Sequence, residues 1–471
     1  MGDHLLKLVI FSFVVVVNTH QVQGHVDGVS LTLNVTGTVG VQGDVNGNIS
    51  LTFIANASET GAVCLDGSAG GYYYDPGFGD GVNSWIIYLN GGGWCGSDGG
   101  CEGKVKYGGG SSNQSLKIIT FGQLHSRDHT TNPDFYNWNR VQVVYCDGSS
   151  FMGNADHSVF KSRGARIFDV VMEEFFQKGM ANATNVILTG GSAGGLATLL
   201  HCDGFRALFP SSVRVKCVID SGFFLHAPEL HGAEFRANYY ATIAAYHGFT
   251  DKLPASCRSK MNASRCIFPQ YMIRDIQTPL FLVESKFDWY QLHMNEFTDD
   301  KNFKTCTNDV TLCSPSNFET MKEYGVALTN SLQEIRDTSS IGMFVHPCFR
   351  HGHFYQNLGW DASYKLKNKT IAQAIGDWYN ERDCTFQEID TQHEYPLNSD
   401  CTEIPRLVRG LHSPFCSAQS PCRLVLCTGL LVYITVVLNR RSLTSEDDLT
   451  TRKTIHRRRI AFSFIKERAY L

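Results

Sequence analysis

No Cys-x-x-Cys pair occurs anywhere in this chain, although it holds 16 cysteines. That excludes a zinc ribbon, whose paired ligands need that spacing. Charge is sparse as well: Asp, Glu, Lys and Arg make up 18% of the residues, and the formal net charge is −4. So even a balance excludes a basic footprint for nucleic acid over the whole chain. With 43% hydrophobic residues, bulk disorder is excluded too, because a large core can form. No internal repeat is evident. An apolar run of full bilayer length is also lacking. The run Leu8–Val17 is about half of the ~20 residues a spanning helix needs.

What is present points to a secreted chain. Lys7, the run Leu8–Val17 and the polar residues after it have the layout of a signal peptide over residues 1–24, with cleavage near Gly24. Cysteines at 64, 95, 101, 146, 202, 217, 257, 266, 306, 313, 348 and 384 fit disulfides in an oxidising compartment. Seven Asn-x-Ser/Thr sequons, at Asn34, Asn48, Asn56, Asn113, Asn182, Asn262 and Asn368, fit the same compartment.

Residues 25–400 are expected to form a single domain. Its first part, residues 25–60, alternates apolar and polar residues around Gly turns and reads as a short antiparallel sheet. From Cys64 onward, short apolar runs alternate with helical patterns. Strands are expected at Ser84–Leu89, Arg140–Cys146, "NVILTG", Val213–Asp220, Thr278–Ser285 and Ile341–Cys348, with helices at Gly164–Met180 and Thr370–Glu381. The fold class is therefore α/β, a mainly parallel sheet with helices on both faces. Residues 401–471 differ in style and are expected to be a poorly ordered extension. The uncharged run Leu424–Leu438 is short for a membrane span, although Arg440 and Arg441 would suit its cytoplasmic flank.

The stretch "NVILTGGSAGGLATLLHC" places Ser192 between an apolar strand and a helix-forming run, in a Gly-x-Ser-x-Gly frame. That is the nucleophile elbow, whose crowded turn admits only small neighbours. A serine hydroxyl needs a base, and in this fold the order is Ser, acid, His. The acid is expected in the loop after "TPLFLVES", at Asp288, with Asp220 and Glu284 as alternatives. "IGMFVHPCFRHGHF" supplies His346, His351 and His353. His346 lies within a strand and reads as structural, and position alone leaves His351 and His353 both open. Zinc ligation by the three is the competing reading, but no carboxylate or cysteine cluster flanks them, so no metal is expected. Oxyanion donors are expected from the backbone N–H of Ala193 and from "NGGGW", through Gly93 and Trp94. Each such donor typically contributes about 3–4 kcal/mol to the transition state.

Together "GVNSWIIYLNGGGWC", "NPDFYNWNRVQVVYCDGSSFMG", "GGSAGGLATLLHCD", "TPLFLVESKFDWYQ" and "CFRHGHF" resemble the plant-type pectin acetylesterases, a family that also holds the Notum carboxylesterases. The resemblance runs from about Gly61 to Arg382. It implies an α/β-hydrolase-like fold, no cofactor, and a Ser192–Asp288–His351 esterase acting on acetylated pectin in the cell wall. It also favours His351 over His353. A Notum-like deacylase of protein-bound lipid and an inactive polysaccharide-binding homologue are the other readings. Three positions depart from the plant pattern: Asn90 stands for a common Glu, and Gly191 and Gly352 for common cysteines.

Overall fold

The computed structural model describes residues 47–402 apart from 295–296, 337, 355–359, 361–363 and 384, together with the backbone of three earlier strands. Most of the expected leader, Cys384 and the extension with Leu424–Leu438 lie outside the described residues. The three early strands, β1 (Gln21–Val26), β2 (Val29–Asn34) and β3 (Val39–Gly43), pair antiparallel as the alternation predicts. Strand β1 crosses residue 24.

The central sheet is built from β4 (Ile49–Phe53), β5 (Gly71–Asp75), β6 (Ser84–Leu89), β7 (Ile118–Ile119) and β8 (Asn139–Val143). After a small ladder of β9 (Ala155–Asp156) and β10 (Lys161–Ser162), it continues with β11 (Asn185–Gly191), β12 (Arg214–Asp220), β13 (Leu280–Ser285), β14 (Ile341–His346) and β15 (Gln387–Ile389). The spatial order is β15-β14-β13-β12-β11-β6-β8-β5-β4-β7. Pairing is parallel from β15 through β8 and antiparallel beyond it. The helices are α1 (Ala57–Thr60), α2 (Asp98–Tyr107), α3 (Gly164–Gln177), α4 (Ala193–Arg206), α5 (Ala233–Tyr246), α6 (Ala255–Arg258), α7 (Trp289–Met294), α8 (Phe303–Asn308), α9 (Pro315–Gln333) and α10 (Ile371–Tyr379).

The parallel strands read as continuous apolar runs because both faces are covered. In β6, Trp85, Ile87 and Leu89 join the core shared with α3 and α4, whereas Ile86 and Tyr88 join the core under α10. Strand β13 divides the same way, Leu280 and Leu282 against Phe281 and Val283. Helix α3 buries Ile167, Phe168, Val171, Met172 and Phe175, one stripe at helical spacing.

Where the expected strands overran, proline explains two ends. Strand β13 begins after Pro279 and β14 stops before Pro347, since proline brings no ladder N–H. Disulfides join Cys64–Cys146, Cys95–Cys101, Cys202–Cys217, Cys257–Cys266, Cys306–Cys313 and Cys348–Cys401. Among the described residues, no helix is long and apolar enough to cross a membrane.

Candidate active site

Strand β11 ends on Gly191, α4 begins on Ala193, and Ser192 between them has φ 58° and ψ −124°. A side chain held at positive φ costs of order 1–3 kcal/mol, and only surrounding structure keeps it there. Here the Ser192 N–H donates to Asp220 O at 2.8 Å, pinning the turn to the end of β12. Gly91 presses on the other side: a Cβ there would lie 2.8 Å from Ser192 Cβ. Any larger residue at 91 would push the loop after β6 away from the serine.

Asp288 follows β13 and starts α7, its Oδ1 accepting from Gln291 N at 2.8 Å. Its other oxygen, Oδ2, lies 2.7 Å from His351 Nδ1. The chain holds this pair from both sides, because Asp288 bridges Arg350 in parallel and Trp289 N donates to Arg350 O. The opposite nitrogen, His351 Nε2, is buried and has no hydrogen-bond partner. Tyr290 lies nearly parallel to the imidazole, 4.9 Å between centroids.

His346 and His353 face one another, while His351 turns to Asp288. The Cys348 N–H donates to His346 Nδ1, and His346 Nε2 meets His353 Nε2 at 2.6 Å. His353 Nδ1 in turn meets Asp220 Oδ1. This order makes His346 Nε2 the donor to His353 Nε2 and leaves the proton on His353 Nδ1 for Asp220. Burial pushes the Asp220 carboxyl up, but the His353 ring and the N–H groups of His353 and Phe354 outweigh it and hold it below its usual range. Both aspartates that the sequence offers are thus in use, each with a different histidine. The only other grouped donors among the described residues, Cys95–Cys101–His247 and His346–Cys348–Cys401, contain disulfide sulfurs. These have no thiolate to give a metal.

Glu284, the third candidate acid, faces inward in β13 and accepts from Gly222 N and Phe223 N, each at 2.9 Å. Burial, with Asp288 near, raises its carboxyl well above the ordinary value. It holds the backbone after β12 and does not contact either histidine's ring in a hydrogen bond.

The Asn90–Trp94 loop leaves the end of β6 and is braced by residues that the sequence did not single out. Tyr145 Oη donates to Gly93 O at 2.7 Å and accepts from Ser150 N. Trp94 Nε1 donates to Ser150 Oγ at 2.7 Å. The Lys104 ammonium, from α2, donates to Gly92 O. Burial pulls Lys104 down to about 8, with Asp147 acting the other way. The Cys95–Cys101 disulfide ties the loop to α2. These contacts hold the loop without calling on the Asn90 side chain. Gly191 also has a local reason: Tyr88 Oη fills the place that its side chain would take.

This frame, with its glycine loop and elbow, matches the pectinacetylesterase family pattern over residues 44–402. The chain belongs to the pectinacetylesterase family. Pectin acetylesterases 7 and 11 of Arabidopsis thaliana are each 40% identical to it, covering 73% of this chain and 90% of theirs. Palmitoleoyl-protein carboxylesterase notum2 of Xenopus laevis is 26% identical, over 76% of this chain and 75% of its own. The solved structure of the Wnt deacylase Notum from Drosophila aligns with a TM-score of 0.62 over 74% of this chain and 98% of its own. At 22% identity that likeness concerns the fold, which is α/β-hydrolase-like. As a pectinacetylesterase, the chain is a carboxylic ester hydrolase.

Proposed function

We propose that this chain is a secreted serine esterase that removes O-acetyl groups from the galacturonate residues of pectin in the cell wall. The observation that carries this reading is His351, tied through Nδ1 to Asp288 while Nε2 stays buried and unpartnered. Asp288 fixes the tautomer that leaves Nε2 as the base. His351 Nε2 takes the proton of Ser192 as Oγ attacks the acetyl carbon. Asp288 stabilises the imidazolium, which then protonates the sugar oxygen as its bond to the acetyl carbon breaks, so that it leaves as a hydroxyl. Water, activated by the same nitrogen, releases acetate from Ser192. The developing oxyanion is held by the N–H groups of Gly93, Trp94 and Ala193, the last at the positive end of α4.

Ring packing supports a short acyl group. Trp94 lies 4.7 Å from Phe224 and 5.2 Å from Tyr240, and Phe224 lies 6.4 Å from both Tyr290 and His351. Such close ring packing beside the histidine favours a short acyl group over a long chain. The Arabidopsis relatives, named as pectin acetylesterases, support the same substrate. The test is acetate release from acetylated pectin, xylan and synthetic esters of rising chain length, by the native chain and Ser192→Ala. A preference for long acyl chains would sink the pectin reading. A chain that neither releases acetate nor reacts with a fluorophosphonate would be the inactive binding homologue.

A further inference from the structure

A cavity of about 600 Å³ adjoins the candidate active site, sharing Asn90 and Gly91 with it. Gly91 forms part of its wall and touches the elbow, and Phe354, three residues past His351, closes another side. Its volume falls within the roughly 300–1,000 Å³ range of small-molecule sites.

The lining is a mixture suited to a sugar ring. Tyr73, Phe121 and Tyr145 offer aromatic surface, while Asn90, Gln142 and Thr120 offer amides and a hydroxyl. His125 adds a group with an unmet need, since its Nε2 is buried and has no hydrogen-bond partner. Burial, aided by the Arg140 charge, pushes the imidazole down to about 3. The ring is therefore neutral, with one nitrogen to donate and one to accept. Among the described residues, no Lys, Arg, Asp or Glu lines the cavity. The Arg140 charge that reaches His125 is already paired with Asp75, so a free carboxylate placed there would lose hydration without gaining a partner of its own.

We propose that this cavity is a subsite for an uncharged pyranose unit adjoining the residue whose ester is cleaved. In pectin that unit is a methyl-esterified galacturonate. The proposal rests on the reading of the chain as a pectin deacetylase and adds a preference to it: neighbouring carboxyls are accepted when masked.

Calorimetric titration of Ser192→Ala with a galacturonate oligomer, methyl-esterified or unesterified, tests this directly. The esterified oligomer is expected to bind at least about tenfold tighter, a difference that titration resolves readily. A neutral xylo-oligosaccharide arm separates recognition of the methyl ester from recognition of any uncharged ring. Thr120 is exposed at the mouth, so adding Thr120→Lys to the same background should raise affinity for the unesterified oligomer. A gain of that kind cannot come from misfolding. Equal or tighter binding of the unesterified oligomer by Ser192→Ala, or no gain with Thr120→Lys, overturns the proposal. Asn48 heads a sequon and lies at the rim. Binding seen only after N-glycan removal would assign the cavity to that glycan instead, and would also overturn it. Failure of the deacetylase reading has a separate signature: no acetate released from any acetylated pectin by the native chain, whatever the titrations give.

Discussion

His351 Nδ1 and Asp288 Oδ2 lie 2.7 Å apart, and both side chains are almost wholly shielded from solvent. Asp220 makes the equivalent contact with His353. The two pairs carry different loads, so isosteric substitutions should separate them. Asp288→Asn should lower kcat by about 10⁴ through loss of the correct tautomer, with little change in melting temperature. Asp220→Asn should instead lower the melting temperature, since it disturbs a buried network joining β12 to the segment after His351. Kinetics on a soluble acetyl ester beside thermal unfolding would decide. The reverse pattern would reassign the acid to Asp220.

The pairing itself marks where sequence reasoning runs out. The elbow is legible because its signals are local: an apolar strand, small residues around Ser192 and a helix-forming run. Alternation in "HGHF" would set His351 and His353 apart only if the strand ran on, and β14 ends at His346. Which carboxylate each one meets is decided by how the loop after β13 bridges Arg350, a contact between segments more than 60 residues apart. Residue spacing carries no trace of it. The brace under the glycine loop is hidden for the same reason. Lys104 and Tyr145 carry no signal of their own in the sequence until the fold brings them to Gly92 and Gly93.

Glu284 offers a test with a definite sign. Its folded carboxyl is raised well above the ordinary 4.5 by burial. Stability from this group is therefore fully present below pH 4.5 and is lost as pH rises toward the folded value. Glu284→Gln keeps an acceptor for Gly222 and Phe223 without that loss. The variant should melt higher than the native chain at pH 7, with the gain shrinking toward pH 4. Glu284→Ala should destabilise at both, because two buried N–H groups lose their acceptor at about 1–3 kcal/mol each. A Glu284→Gln gain that does not depend on pH would mean that the carboxyl is ionised in the fold.

Gly191 and Tyr88 should be coupled. A Cβ at 191 would occupy the position of Tyr88 Oη, so Gly191→Ala should cost about 1–3 kcal/mol, as overpacking of a close-packed site does. Removing the hydroxyl with Tyr88→Phe in the same chain should recover much of that loss. Urea unfolding of both single variants and the double closes the cycle. Strict additivity would show that something other than this hydroxyl excludes a side chain at 191.

The aromatic group around His351 should set the acyl length. Phe224 contacts Trp94, Tyr240 and Tyr290 and is 1% exposed. Phe224→Ala removes one wall of the packed space and should cost about 3–5 kcal/mol of stability. The cavity left behind lies next to the histidine, where an acyl tail longer than acetyl would extend. Each methylene accommodated in an apolar site is worth about 1–3 kcal/mol in discrimination. The ratio of kcat/KM for butyrate over acetate esters should therefore rise at least about tenfold in the variant, even as its melting temperature falls. An unchanged ratio in a folded Phe224→Ala protein would mean that the acyl group points elsewhere, and the rings would then be core and nothing more.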